Sequence, residues 1–370
     1  MVRLRIQPNS TISQVASQNS EAHVPRANRR EICNPDQIQV FHLVNRCVRR
    51  TFLCGTDEKS GKDFSHRKAW IRQRLEELAG IFAIEILGFA VQSNHLHVVV
   101  RTRPDVQKGW NDTEIAQRWL RLFPQRRNED KSQCEPNDAE LSCILSSAST
   151  LLKLRSRLIS ISWFMRCVAE PIARRGNLED DVTGRFWEGR FRAQILLDEN
   201  AIAACMAYVD LNPIRSGQAM TPETSEFTSV RERILDRHDA ANQPTHDAVT
   251  DGIEHGPRAG WLSPISLEAS SEPSRSKITH RRASNKGCLP MTLDQYLELL
   301  DWTGRQLKNN SGAIPQEFPS ILERLDYSPA QWLLYVRQFR KVFRSDAGTP
   351  ENRTIFRQQR RSRRALLAGT

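Results

Sequence analysis

Two apolar runs joined by a short polar break predict a β-hairpin between residues 81 and 100. Residues 81–91 and 96–100 are rich in β-branched and aromatic side chains, and the polar residues 92–94 separate them. Residues two apart on a strand share a face, so His95 and His97 are expected to lie side by side while their neighbours face a core. Two imidazoles on one face can form half of a divalent-metal site. The alternative is a pair of half-buried histidines with backbone partners.

A second pattern predicts a helix from about residue 198 to Asn212. Acidic and Asn capping candidates open it, and good helix formers follow. Pro213 disfavours the α conformation at the residue before it, so the helix is expected to end there. Tyr208 and Asn212 are four residues apart and share one side, next to an apolar stripe suited to packing on a sheet. Taken alone, Tyr208 is better explained as an ordinary core tyrosine.

The other strongly patterned segments predict an α+β fold with mainly antiparallel strands. Strands are expected over 37–46 and 191–197, and helices over 64–79 and 159–175. The first strand carries His42, which we interpret as a structural histidine.

Composition and capping signals suggest how the chain is divided. Polar, low-hydrophobicity stretches predict disorder or linkers, and two capping boxes predict helices near the C-terminus. Six arginines and no acid between residues 353 and 364 predict a basic tail. The expected units are a disordered basic arm (1–36), a main domain (37–236) with an insertion at about 102–156, a linker (237–289), a helical module (290–346) and a basic tail (347–370).

Charge favours a polyanionic partner. The 370 residues contain 54 Lys plus Arg against 43 Asp plus Glu, a net charge of +11. Nucleic acid is the usual partner of such a surplus, although a solvated basic surface is the alternative. The eight cysteines form no Cys-x-x-Cys pair, which gives no support to a zinc ribbon or a redox motif. Without a long apolar run or a secretory signal, no membrane partner is expected, and the expected location is cytoplasmic, at the nucleoid when DNA-bound.

Arginines alternate with aromatic residues in the segment 184–192. Such a mixture suits single-stranded nucleic acid, because bases stack on aromatic rings while guanidinium groups hold phosphates. An equally good interpretation is a core of aromatics with solvated arginines. Arg215, just past Pro213, is a further candidate for binding a phosphate. The candidate DNA-binding residues are Arg185, Trp187, Arg190, Arg192 and Arg215.

The histidine pair and the tyrosine together suit phosphodiester chemistry. A tyrosine phenol can act as a nucleophile and give a phosphotyrosine intermediate. A nearby cation helps, because it stabilises charge on the attacking oxygen and on the phosphate. His95 and His97 would hold it, and Asn212 could add a carboxamide oxygen as third ligand. Imidazole plus oxygen ligands allow Mg²⁺ or Mn²⁺, whereas Zn²⁺ is less suited to this role.

Two motifs, in this order, resemble the single-tyrosine HUH (His-hydrophobic-His) transposases, specifically the REP-associated tyrosine transposase branch. They are Asn94-His95-Leu96-His97 and the segment 208–217, which reads Tyr-Val-Asp-Leu-Asn-Pro-Ile-Arg-Ser-Gly. Segments 41–46 and 186–191 support the resemblance, which covers roughly residues 38–235.

The resemblance implies a ferredoxin-like antiparallel sheet and a DNA transposition activity. In that fold the first strand lies beside the His strand, so His42 could lie near the site, although we interpret it as structural. It implies that Tyr208 is the catalytic nucleophile and that His95, His97 and Asn212 hold the metal, since the family places a polar ligand four residues after its tyrosine. The products would be a 5′-phosphotyrosine and a free 3′-hydroxyl, without a nucleotide cofactor. The substrate would be single-stranded DNA carrying a hairpin of the repetitive extragenic palindrome type. Monomer and homodimer remain open.

Two other functions compete with strand transfer. One is a domesticated nucleic-acid-binding protein that keeps the fold without the reaction. The other is a metal-dependent hydrolase, which would need further carboxylate ligands near the histidines. Asp105 is the nearest in sequence, and Asp210 is expected on the wrong side of its helix, so the hydrolase has the least support.

Overall fold

The computed structural model describes residues 29–48, 53–56, 61–128, 134–242, 257–267, 281–309, 318–325 and 327–368. Its elements, in chain order, are α1 Arg29–Ile32, β1 Val40–Arg46, α2 Arg67–Ala79, β2 Ile84–Val91, β3 His95–Thr102, α3 Pro104–Lys108, α4 Asp112–Leu122, α5 Asp138–Leu145, α6 Ala148–Leu158, α7 Ile161–Glu179, β4 Arg192–Leu196, α8 Glu199–Asp210, α9 Asn212–Arg215, a 3₁₀ turn Pro222–Thr224, α10 Ser229–Asn242, α11 Leu293–Asn309, α12 Phe318–Arg324, α13 Pro329–Val342, β5 Asp346–Ala347 and α14 Pro350–Ala368.

The strands form one five-stranded sheet in the order β2-β3-β1-β4-β5. Strands β1 to β4 pair antiparallel, and the short β5 pairs parallel with β4. The predicted hairpin is β2 and β3, and in the central pair Val44 lies opposite His97 and Arg46 opposite His95. The α+β class predicted from the sequence is therefore confirmed.

Helices cover both faces of the sheet, and strand alternation decides which residues each face buries. Phe41 and Leu43 are fully buried on the face that packs with α2 and α7, while Val40 and Val99 belong to the core on the α8 face. Along β1, His42 alternates with Phe41 and Leu43 and therefore lies on the α8 face with Val40. His97 lies opposite Val44, which shares this face, so His97 and Val99 lie there too.

The segment 102–156, predicted to be an insertion, contains helices α3 to α6. Ile115, Leu151 and Leu154 bury its apolar side in the core on the α2 face. The helices begin at polar caps, for example Asn137, whose side chain accepts from the backbone of Glu140 in a capping box. The insertion therefore extends the core on the face opposite α8.

The described part of the predicted linker 237–289 docks on the sheet domain. Trp261 is fully buried and its ring lies 5.2 Å from that of Phe89. The backbone N–H of Ser263 donates to the carbonyl of Ile86 (2.9 Å). One large indole in a polar stretch thus supplies burial that no apolar periodicity signals.

The C-terminal segments also contact the main domain. Helices α11 to α13 share a core with α8. The segment predicted to be a basic tail contains α14, in which Arg353 and Arg357 pair with Asp346 and Arg360 pairs with Glu31. In the predicted arm, residues 1–28 lie outside the described residues and Arg29–Ile32 form α1.

Both outer strands of the sheet meet later parts of the chain. On the β4 side, Leu197 N–H donates to the carbonyl of Ala347 (2.9 Å). On the β2 side, Val91 N–H donates to Phe227 (3.1 Å), and Ile86 forms a bridge with Leu262. Among the described helices, none is long and apolar enough to cross a membrane.

Candidate active site

The two predicted histidines open β3 and face α8. His95 and His97 lie with ring centroids 4.6 Å apart, so the alternation brings them together. His97 is fully buried, whereas His95 is partly exposed at the start of the strand. One side of the site is therefore buried and the other is near solvent.

Tyr208 lies on α8, with its ring next to that of His97. Asp198 caps the helix by accepting from the N–H of Ala201 (2.8 Å), and the helix ends at Asp210. Buried alanines, including Ala204 and Ala207, let α8 approach the sheet closely. The Tyr208 ring centroid is 5.7 Å from that of His97. The structure thus joins the two sequence motifs at one place.

A third histidine, His42 on β1, completes the cluster. Its ring stacks on that of His97, with centroids 5.1 Å apart and planes 16° from parallel, and lies 5.9 Å from Tyr208. His42 Nε2 is 2.8 Å from His97 Nδ1, and His42 Nδ1 is 3.3 Å from Gln194 Oε1 on β4. The sequence interpretation of His42 as structural did not place it in contact with both motifs.

Burial keeps these imidazoles neutral. Desolvation, followed by the charge of Arg340, lowers the pKa of His42 to about 3. Desolvation and then Arg46 lower the pKa of His95 to about 4. The pKa of His97 is lowered well below its usual value, chiefly by burial. Neutral imidazoles are the form that binds metal ions.

The predicted metal ligands have donor atoms without a hydrogen-bond partner among the described residues. His97 Nε2 is buried and has no hydrogen-bond partner among the described residues. His95 Nδ1 donates to Asn94 Oδ1, which leaves its Nε2 as the free nitrogen. Asn212 is buried at the start of α9, and its side chain makes no hydrogen bond within the described part of the chain. Across those residues, no three His, Cys, Asp or Glu side chains form a group suited to a metal ion.

One arginine contacts the Tyr208 ring and a second lies close enough to interact with it electrostatically. The guanidinium carbon of Arg215 lies 4.0 Å from the ring centroid, and the same group donates to the carbonyls of Arg337 (3.0 Å) and Tyr208 (3.3 Å). Arg340 on α13 makes no hydrogen bond or ion pair with any described residue, and burial lowers its pKa while the charge of Tyr208 opposes that effect. An arginine stays charged under such shifts. Arg340 is thus a half-buried cation that has no anion partner within the described part of the chain.

Helix α13 covers the site. The Phe339 ring lies 5.8 Å from that of Tyr208 and 6.3 Å from that of His42, and Tyr208 is only 9% exposed. The helix is kinked beside this contact, because Gln338 leaves helical geometry (φ −128°, ψ 26°). Arg215 hydrogen-bonds the carbonyls that precede the kink.

The other predicted DNA-binding residues lie elsewhere. Trp187 packs on the core of the α2 face and donates through Nε1 to the carbonyl of Ala169 (2.9 Å). Arg185, Arg190 and Arg192 are exposed. Burial is the main cause that lowers the pKa of Arg340, and the charge of Arg192 lowers that pKa further. No described contact joins Arg185, Trp187 or Arg190 to the tyrosine or the histidines.

Sequence reasoning gave no site role to four residues that lie here. It allowed His42 near the site but interpreted it as structural, and strand alternation places it on the face of Val40. No local signal marks the other three, which reach the site from β4 and from α13. They are Gln194, Phe339 and Arg340.

The fold and the site define an α+β protein in which a His-x-His strand faces a tyrosine-bearing helix. No protein-family model matches the sequence, and no curated protein matches it significantly. A solved structure of a REP-associated tyrosine transposase bound to a REP hairpin is similar to this chain, at 12% sequence identity and a TM-score of 0.30. The similarity covers 63% of this chain and 95% of that chain.

Proposed function

We propose that the protein is a metal-assisted strand transferase acting on single-stranded DNA that carries a hairpin. The observation that carries the proposal is the position of the Tyr208 ring, 5.7 Å from His97, whose buried Nε2 has no partner in the described residues. A nucleophile candidate, a free metal ligand and an unpaired cation thus lie around one point, on a chain of net charge +11.

The reaction would proceed in two transfers. The Tyr208 phenol loses its proton to water as its oxygen bonds to phosphorus, the bond from phosphorus to the 3′-oxygen breaks, and that oxygen gains a proton. The enzyme then holds a 5′-phosphotyrosine and releases a 3′-hydroxyl. A 3′-hydroxyl attacking the phosphotyrosine restores the phenol and rejoins the strand, so the bond energy is retained.

His95, His97 and Asn212 would hold Mg²⁺ or Mn²⁺. When bound, such an ion would supply Lewis-acid stabilisation of charge on the scissile phosphate. Among the protein's own groups, Arg340 would bind the phosphate, because it has no anion partner in the described residues and its planar guanidinium matches two phosphate oxygens. The buried apolar wall around Phe339 would exclude water from the phosphotyrosine.

Two finer features of the fold agree with this function. We infer that β1 to β4 form a ferredoxin-like sheet, since their order is β2-β3-β1-β4 with antiparallel pairing, and α2 and α7 pack on one face. We also infer that segment 37–236 is the catalytic domain and that the exposed Arg185, Arg190 and Arg192 contact DNA away from the tyrosine. Trp187, which is half-buried against the core, is the weakest of these DNA-binding candidates.

A nucleic-acid-binding protein without strand cleavage is the second candidate. The observation that favours it is the 9% exposure of Tyr208 beneath α13, because a DNA strand reaches the phenol only when this helix moves. The two candidates differ in whether a covalent adduct forms.

The test uses a labelled single-stranded hairpin oligonucleotide from the DNA flanking the gene, with Mn²⁺ or Mg²⁺. A denaturing gel should show a protein–DNA adduct for the wild type and for the control Tyr335→Phe. Tyr208→Phe and His97→Ala should form none, while Tyr208→Phe still binds the hairpin. Binding by the wild type without an adduct in either metal would establish the binding protein instead, and neither binding nor adduct would reject both.

A further inference from the structure

The hydrogen bonds that connect His97, His42, Gln194 and the carbonyl of Phe343 allow only one arrangement of their donors and acceptors. The fixed end is the backbone carbonyl of Phe343, which can only accept. Gln194 Nε2 lies 2.6 Å from this oxygen, so the amide must present its NH₂ group there. The opposite orientation would set two oxygens without a proton at that distance.

The carbonyl of Phe343 fixes the donors and acceptors of the remaining hydrogen bonds. With its NH₂ group on Phe343, Gln194 presents Oε1 to Nδ1 of His42, at 3.3 Å. An amide oxygen only accepts, so His42 Nδ1 carries the ring proton. A neutral imidazole has one such proton, which makes His42 Nε2 an acceptor. His97 Nδ1, 2.8 Å away, is therefore the donor.

This order leaves a lone pair on His97 Nε2. That atom is buried and has no partner among the described residues. We propose that His42 and Gln194 are positioning residues that hold His97 in the tautomer protonated on Nδ1, with its Nε2 lone pair directed into the site for a divalent cation. The metal part of this inference rests on the proposed function, whereas the tautomer does not.

This series of hydrogen bonds joins segments that are far apart in sequence. It connects β3 through β1 and β4 to the residue that follows α13, and each of its side chains is buried. The stacked rings of His42 and His97 fix the ring planes as well as the protons. Partners of this kind orient metal-binding histidines, and their loss typically costs about 10- to 100-fold in metal affinity.

The experiment compares Gln194→Leu with Gln107→Leu in the full chain. Gln107 is a matched control, since it is also a buried glutamine. It lies in α3, which follows the C-terminal end of β3, whereas His95 is at the N-terminal end of that strand. Long-range ¹H–¹⁵N spectra of metal-free protein labelled at histidine nitrogens identify the tautomer, and His97→Asn assigns the signal. Mn²⁺ affinity is then measured by electron paramagnetic resonance without DNA.

We expect His97 to carry its proton on Nδ1 in the wild type and in Gln107→Leu. Gln194→Leu should lose this preference and bind Mn²⁺ about 10- to 100-fold more weakly. If Gln194→Leu does not fold, His42→Phe, which keeps a stacked ring but no acceptor, should show the same losses.

Two outcomes would overturn the inference. They are a wild-type His97 protonated on Nε2, and a folded Gln194→Leu or His42→Phe that keeps both the wild-type tautomer and the wild-type Mn²⁺ affinity. A wild type that binds no Mn²⁺ would remove the metal from the proposed function, while the spectra would still decide the tautomer.

Discussion

Replacing Tyr296 by Phe should loosen the attachment of the helical module to the tyrosine helix. Tyr296 on α11 donates its hydroxyl to Asp210 Oδ2 at 2.7 Å, and both side chains are fully buried. The same carboxylate accepts from Ser229 Oγ and from the N–H of Val230 (3.1 Å). Asp210 therefore links α8, α10 and α11 at one point, pointing away from the histidines.

The size of the effect follows from this geometry. Losing one hydrogen bond to a charged group typically costs about 1.5–3 kcal/mol, and the cavity left by one hydroxyl oxygen is small. Two of the three donors remain on Asp210. We expect Tyr296→Phe to lower the free energy of unfolding by about 2 kcal/mol.

The effect should depend on pH with a defined sign. Burial, as the largest cause, raises the pKa of Asp210 above its usual 3.8, and the hydrogen bond from Tyr296 opposes that rise. An acid with a raised folded-state pKa favours folding at low pH, and stability falls as pH increases from 3.8 through the folded value. Removing the Tyr296 donor should therefore cost more at mildly alkaline pH than under acidic conditions.

Urea unfolding of the full chain at both pH values measures this difference. Tyr335→Phe is the control, because its half-buried hydroxyl makes no hydrogen bond within the described residues. The reasoning fails if the two variants are equally stable, or if Tyr296→Phe loses more stability in acid than at alkaline pH.

Three further predictions test other contacts. Asp346→Asn should lower the free energy of unfolding, measured in urea, by about 3 kcal/mol. Burial raises the pKa of Asp346, but hydrogen bonds from Ser345 and Arg353 lower it below 3.8 overall. The stability advantage of the wild type should therefore disappear as pH falls below 3.8. Gly348→Ala should lower the melting temperature and cost about 1–3 kcal/mol, because Gly348 has φ +154° and its new Cβ would lie 2.6 Å from the capping carboxylate of Asp198; a wild-type melting curve would contradict this. Arg340→Gln should slow adduct formation about 10- to 100-fold, the loss of one charge-assisted bond, with partial recovery in Arg340→Lys; equal rates in quench-flow would exclude phosphate binding by Arg340.

The sequence predicted the parts of the site that local periodicity controls. Alternation along β3 placed His95 and His97 on one face, and the helical pattern with Pro213 placed Tyr208 near the end of α8. These inferences succeeded because a strand or a helix fixes the relative direction of neighbouring side chains. The sequence also predicted that Asp210 points away, and its bonds to Ser229 and Tyr296 agree.

The rest of the site depends on tertiary packing. Gln194 reaches His42 across 152 residues of sequence, and its own partner Phe343 lies 149 residues further on. Arg340 and Phe339 lie on a helix that we assigned to a separate module. For segment 184–192 the sequence left two interpretations open, because the same residue types serve core packing in Trp187 and solvent exposure in Arg185.

The occupied edges of the sheet determine which fragment of this protein can be studied alone. A fragment ending before Phe227 would contain His95, His97 and Tyr208 but would leave the outer backbone groups of β2 and β4 unpaired. Such bare edges recruit strands from other molecules and promote aggregation. We therefore expect a fragment limited to residues 37–226 to aggregate, and we expect a soluble fragment that retains the site to extend at least through β5.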